Sequence, residues 1–298
     1  MRRILSRVRG RLRMALAGIG SAFPDGHFYS PVCDPKQLAS IRDQLWPESP
    51  APVLGIDFND ASHIQVLTDW FPRYVHEYDY PQHGADDVQL THFYCKNSQF
   101  SDLDALALFV FLREFAPRRV IEVGSGYSSL LMADVNLRFL QGRSHITCIE
   151  PFPRAFLQKH LPGIGEVCVQ SVQSVPMALF EALDAGDILF IDSSHVAKTG
   201  SDALHLFFEV LPRLRSGVLI HVHDIFLPEE YPQKWVLAEN RSWNEQYLLR
   251  ALLMHSTAFQ PIFGCHYARL QHAGAVAQAL ARADGQPLDG GSFWIRRL

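Results

Sequence analysis

A doubly wound, mostly parallel α/β sheet of seven strands, preceded by an N-terminal cap, is the fold this sequence predicts. Three observations predict it. Short apolar runs recur from Val120 onward, with starts roughly 20–30 residues apart, the length of a strand plus its crossover helix. The first run enters a glycine turn, Gly124-Ser125-Gly126, that opens onto a helical stretch. The fourth and fifth runs end in dense polar clusters, as strand ends do where an open α/β sheet binds ligands.

The elements follow in order. Leu103, Leu106, Ala107, Val110 and Phe111 recur at helical spacing and stop before Pro117, which predicts a helix. Strands are expected at Val120–Val123, Ile146–Ile149, Val167–Val169, Ile188–Ile191 and Val218–Val222. Their near-continuous apolar character suits strands covered on both faces, joined by right-handed crossovers. Ser242 with Glu245 three residues on reads as a capping box opening a helix over Trp243–His255. Ala258–Phe263 and Ser292–Arg296, the second preceded by Gly290-Gly291, read as two closing antiparallel strands. Three regions result: a basic extension at 1–23, a cap rich in turns and aromatics at 24–101, and the sheet domain at 102–298.

Composition sets the class. A chain of 298 residues, 48% hydrophobic and 19% charged, is an ordinary globular protein. Its net charge of −4 gives no global reason to expect nucleic acid. Five scattered cysteines with no CxxC pair argue against a disulfide framework or zinc knuckle and suit a reducing cytoplasm. No apolar run has the roughly 20 residues of a membrane span. The N-terminus stands apart, with Arg2, Arg3, Arg7, Arg9, Arg11 and Arg13 before any acid. Its segment Met14–Phe23, broken by Gly18 and Gly20, is a poor secretory core. A solvated extension and a basic segment in peripheral contact with an anionic membrane are the two other readings. The oligomeric state is not encoded legibly.

The central motif is Val120-Ile-Glu122-Val-Gly124-Ser125-Gly126-Tyr-Ser128-Ser129. Glycines there let the backbone turn sharply and a ligand approach, while the N–H groups of the helix start face it. Ser128 and Ser129 are small and able to cap. The second strand ends in Glu150, which can accept hydrogen bonds from both hydroxyls of a ribose. A nicotinamide dinucleotide would want a third glycine where Ser129 stands. Glu122, two residues before the turn, suits a cationic ligand better than a pyrophosphate.

These residues resemble motif I of the class I S-adenosylmethionine-dependent methyltransferases, with Glu150 as their ribose-binding acid. The likeness extends to Asp187-Ile-Leu-Phe-Ile-Asp192-Ser-Ser-His195, Lys198-Thr-Gly-Ser-Asp202, His221-Val-His-Asp224, Ser292-Phe-Trp-Ile-Arg296 and Gly26-His-Phe-Tyr-Ser-Pro31. All are similar to a bacterial subgroup, methyltransferase family 24. The resemblance implies S-adenosylmethionine as cofactor, held at Glu122, Gly124, Ser125, Gly126, Ser128, Glu150 and Asp192. After the third strand the family often has an acid beside the adenine, whereas this chain reads Gln170-Ser171-Val172-Gln173.

The polar strand ends then supply the acceptor chemistry. His195 is the first candidate for general base, since an imidazole near its ordinary pKa suits proton removal. His223 is the second, with Asp192 or Asp224 to orient either ring. The same groups can also simply bond the strand ends. Some O-methyltransferases hold a divalent ion at an Asp at the fourth strand's end and an Asp-Asn after the fifth. Asp192 and Asp224 match, Ile225 stands where the Asn is expected, and His223 or His195 would substitute. Tyr29, His92, Tyr94, Asn97, Tyr231, Trp235, Arg241 and Trp243 are candidates to line a pocket for a small organic acceptor, Arg241 by clamping a carboxylate. O-methylation of a sugar, carboxylate or phenol is the leading expectation. A nicotinamide-dependent oxidoreductase and a non-catalytic protein binding a nucleoside or a partner are the alternatives.

Overall fold

The computed structural model describes residues 22–49, 52–86, 88–100, 102–280 and 288–298. Most of the expected basic extension, including its six arginines, lies outside them. The chain groups into two compact units, one of residues 1–50 and 230–242, the other of 51–229 and 243–298. This grouping divides the expected cap at Pro50.

The larger unit holds a seven-stranded sheet in the order β3-β2-β1-β4-β5-β7-β6. The strands are β1 (Arg119–Val123), β2 (His145–Ile149), β3 (Glu166–Cys168), β4 (Ile188–Ile191), β5 (Leu219–Val222), β6 (Phe259–Gly264) and β7 (Phe293–Arg297). The first five are parallel. β7 runs antiparallel to both β5 and β6. Each expected strand is present within a residue or two of its expected bounds.

Strand order reverses at β1, which lies between β2 and β4, so the crevice of a doubly wound sheet opens at the carboxyl ends of β1 and β4. Alternation of side chains builds two cores. Val120, Ile146, Ile188, Phe190 and Trp294 pack on one face beneath helices α1 (Asp102–Phe115) and α2 (Tyr127–Phe139). Ile121, Val123, Leu189, Ile191 and Ile220 pack on the other with Leu206, Phe207 and Val210, and with Leu249 and Leu253 of helix α3 (Glu245–Leu253). The strands are legible as apolar runs because both faces are covered.

Helix α3 departs from expectation. It starts at Glu245 with Asn244 at its N-cap, and Ser242 does not cap it. In the smaller unit the Ser242 hydroxyl accepts a hydrogen bond from Cys33 N at 3.1 Å. There Asp34 caps a short helix, Pro35–Ser40, by accepting from Lys36 N, and Trp46 Nε1 donates to Tyr231 O at 2.9 Å.

Candidate active site

The glycine turn is fixed from both sides. Gly124 N donates to Ile149 O of β2, and Asp192 N donates to Val123 O. Gly124 has φ +82°, and a Cβ there would lie 1.8 Å from the Asp192 carbonyl oxygen. Only glycine lets the exits of β1 and β4 pass so closely. Gly126 differs: a Cβ there would meet nothing nearer than Arg154 Nε at 4.0 Å, so this residue faces open space. Glu150 has one oxygen on Ser125 N at 3.2 Å and the other on Phe152 N at 2.8 Å. Backbone groups thus hold its carboxylate in place while each oxygen keeps a lone pair for a ligand. Ser193 Oγ, just past Asp192, is buried without a hydrogen-bond partner, a polar atom that a ligand at the turn would satisfy.

Glu122 sits differently from its expected role. It is fully buried and receives Ser128 Oγ at 2.6 Å, Ser129 Oγ at 2.5 Å and Cys148 Sγ at 3.3 Å. Its carboxylate ties the start of α2 to β1 and β2. Ser129 Oγ also accepts from Gly126 N, so the hydroxyl standing where a dinucleotide site has its third glycine is spent on the turn. Burial raises the Glu122 pKa to about 7, the hydrogen bonds from Ser128, Ser129 and other neighbours offsetting only part of it. A raised carboxyl pKa means that the folded state holds the proton longer, so stability falls as pH rises from about 4.5 to about 7. Glu122→Gln removes that titration. In urea unfolding, its stability relative to wild type should rise by about 3 kcal/mol between pH 4.5 and pH 8. Parallel curves across that range would show the carboxyl to be unperturbed.

At the exits of β4 and β5 two imidazoles and four carboxylates converge. His195 and Asp224 have φ of +59° and +58°, left-handed conformations that cost a non-glycine residue energy and recur at functional sites. His195 Nε2 lies 3.4 Å from Asp192 and 3.5 Å from Asp224, while its Nδ1 meets Glu245 at 3.0 Å. Its carbonyl accepts Asn244 N and Glu245 N, and its ring lies 4.4 Å from that of Trp243. His223 Nδ1 lies 3.3 Å from Asp192 and 3.6 Å from Asp224, and its Nε2 is 3.3 Å from Asp104 on α1. Asp104 in turn accepts from Gly291 N at 2.9 Å and Ser292 N at 2.7 Å. His221 is a core residue, stacked 3.7 Å from Phe190 and bonded to Ser292 Oγ at 2.8 Å.

Charge follows geometry. Burial alone would lower the His195 pKa, but hydrogen bonds and charge from Asp192 and Glu245 outweigh it and lift the ring to about 10. The same competition lifts His223 well above its ordinary value, through Asp192, Asp224 and Asp104. Burial would raise Asp192, yet the two imidazoles hold it well below the usual carboxylate range. His195 is therefore charged at neutral pH with these carboxylates around it. The expectation of an imidazole near its ordinary pKa is corrected accordingly.

A model of methyltransferase family 24, described as a methyltransferase domain, matches residues 121–225, from β1 to the exit of β5. The matched residues are a methyltransferase domain. An uncharacterized protein of Archaeoglobus fulgidus is 35% identical to this methyltransferase over 169 residues, which is 56% of this chain and 76% of that one. An O-methyltransferase from Bacillus cereus in complex with SAH is similar at 13% identity and a TM-score of 0.39, covering 88% of this chain and 97% of that one. A DUF574 family protein from Streptomyces avermitilis is similar at 14% identity and a TM-score of 0.37, covering 88% and 89%.

The residues expected to line the acceptor pocket of the methyltransferase fall in both units. Trp243 lies against His195. Asn97 is buried and spends its whole amide on its own turn, donating to Tyr94 O and Phe100 O and accepting from Gln99 N and Phe100 N. Tyr94 packs edge-on to Tyr127, 5.6 Å between rings. Arg241 belongs to the smaller unit, paired with Glu239 at 2.7 Å and lying over Trp235. Two residues that the sequence reading missed, Glu245 and Asp104, back the two histidines. Asp104 carried a signal, an acid inside the otherwise apolar run Leu103–Leu112.

Proposed function

We propose that this methyltransferase transfers the methyl group to an oxygen of a small organic acceptor. The observation that carries the reading is adjacency. The Asp192 carbonyl touches the glycine turn, and the Asp192 carboxylate belongs to the cluster with His195, His223 and Asp224. Donor turn and proton-handling groups thus share one crevice.

The residues suit S-adenosylmethionine. Glu150 offers two anchored oxygens to the ribose hydroxyls, Gly126 leaves room, and Ser193 offers an unsatisfied hydroxyl. Held at this turn, S-adenosylmethionine would supply the methyl group to the acceptor oxygen, and the acceptor's proton would pass to the cluster. His195, charged and held by Glu245, donates a hydrogen bond that orients the acceptor oxygen. The carboxylates of Asp192 and Asp224 lie 3.4 Å and 3.5 Å from His195 Nε2.

The cluster also suits a divalent cation. One oxygen each of Asp192 and Asp224 and one nitrogen of His223 lie within 4.8 Å of one another. Asp104 fixes the far nitrogen of His223, as outer partners of metal-bound imidazoles do. Ile225 is buried and apolar, so His223 would stand in for the asparagine that some O-methyltransferases have there. Such an ion would polarise the acceptor oxygen.

Calorimetry with S-adenosylhomocysteine tests the donor site: wild type should bind, and Glu150→Ala should bind about tenfold to a hundredfold more weakly through the loss of charge-assisted hydrogen bonds. A folded wild type that binds none removes the reading. In parallel, manganese binding followed by electron paramagnetic resonance should disappear in Asp224→Asn; equal binding by that variant rejects the cation site.

A further inference from the structure

We propose that Arg154 sets the specificity of the donor site, its guanidinium pairing with the carboxylate at the methionine end of the donor; this rests on the S-adenosylmethionine reading above. The open space at the glycine turn has one close neighbour. Beyond the adjoining residues of the chain, a Cβ on Gly126 would meet only Arg154 Nε, at 4.0 Å, among the described residues. The guanidinium is held there from two sides. Its carbon lies 4.9 Å from the centre of the Tyr127 ring, and it donates to Gln99 Oε1 at 2.7 Å. Both supports are themselves fixed. Tyr127 is buried, with the rings of Tyr94 and Phe156 centred 5.6 Å and 6.2 Å away. Gln99 follows the buried Asn97, whose Oδ1 accepts from Gln99 N and Phe100 N. The Arg154 carbonyl accepts Leu157 N and Gln158 N, so its backbone is fixed too. A guanidinium set in place by a ring and an amide has less freedom to lose when a ligand arrives.

Charge selects the ligand group. S-adenosylmethionine carries a sulfonium, an ammonium and a single carboxylate, and its nucleoside is neutral. The carboxylate is therefore the one part of the donor that a guanidinium attracts by charge, and its two oxygens match the planar fork of N–H donors. Glu150 stands at the same turn, bonded to Ser125 N at 3.2 Å. The turn thus presents an anion suited to ribose hydroxyls and, beside the next residue, a cation suited to a carboxylate. A nucleoside that carries an amino acid uses both, whereas a plain nucleoside uses only the first. The catalytic reading above assigns Arg154 no part.

Calorimetry on the full chain with two ligands tests the proposal: S-adenosylhomocysteine, and its decarboxylated form, which keeps the nucleoside and the amine. Wild type should prefer S-adenosylhomocysteine by about tenfold or more, the worth of a charge-assisted pair. Arg154→Gln should bind S-adenosylhomocysteine about tenfold to a hundredfold more weakly. The same variant should bind the decarboxylated ligand at least as tightly as wild type does, which also shows that it is folded. Arg154→Lys keeps the charge without the fork and should recover part of the loss. Glu150→Ala should weaken both ligands alike, since the ribose is common to them. A wild type that binds neither ligand removes the donor reading and this proposal with it. If wild type binds the two ligands equally, or if Arg154→Gln weakens neither or weakens both by the same factor, the donor site stands and the assignment of Arg154 is overturned.

Discussion

Asp104→Ala should destabilise the enzyme by about 3–5 kcal/mol, the cost of removing one partner of a buried ion pair. The carboxylate is nearly inaccessible and serves three donors at once: His223 Nε2, Gly291 N and Ser292 N. Burial would raise its pKa, but the charge and hydrogen bond of His223 and the two backbone N–H groups hold it below the ordinary value. Alanine leaves a charged imidazole and two amides facing an empty space that nothing nearby can fill. Gly290 adds to this, since a Cβ there would lie 2.6 Å from the Asp104 carboxylate, so the entry to β7 is fitted closely around this side chain. Urea unfolding at neutral pH measures the effect. Asp104→Asn, which keeps one accepting oxygen, should fall between alanine and wild type. A loss under about 1 kcal/mol for alanine would mean that the bonds at α1 do not hold β5 and β7 together.

What the sequence showed and what it hid divide along one line. The strands were legible because covering both faces of a parallel sheet forces continuous apolar runs. The turn at Gly124 was legible because its backbone tolerates no side chain. Partners distant in the chain were hidden. Ser242 and Glu245 satisfy a local capping rule, yet the serine bonds Cys33 and the glutamate reaches His195, 50 residues away. Sequence spacing cannot tell a local hydrogen bond from a distant one of the same chemistry. The protonation of His195 was hidden for the same reason, since only Asp192 of its three carboxylates stands near it in the chain. Glu122 was placed correctly beside the turn, but the direction of its side chain depends on which face of β1 it occupies and on the serines of α2 that receive it.

The largest effect on donor binding should come from Gly124→Ala. Two costs combine. A φ of +82° strains any residue with a Cβ, by about 1–2 kcal/mol. The added carbon would also stand 1.8 Å from a backbone carbonyl, a separation that no rotamer relieves, so the exits of β1 and β4 must part. Parting them breaks the Asp192 N to Val123 O bond and carries Asp192 away from His195 and His223. S-adenosylhomocysteine affinity in the calorimeter should fall by more than about a hundredfold, and the melt should shift down with it, as expected for a loss of at least about 3 kcal/mol. Gly126→Ala separates site from fold. Its φ of −162° is open to any residue and its Cβ would point into space, so stability should stay within about 0.5–1 kcal/mol. Donor affinity should still drop about tenfold or more, because the new methyl takes room the ligand needs. If Gly126→Ala binds as wild type does, the donor does not lie over this turn; if Gly124→Ala does, the contact between β1 and β4 does not shape the site.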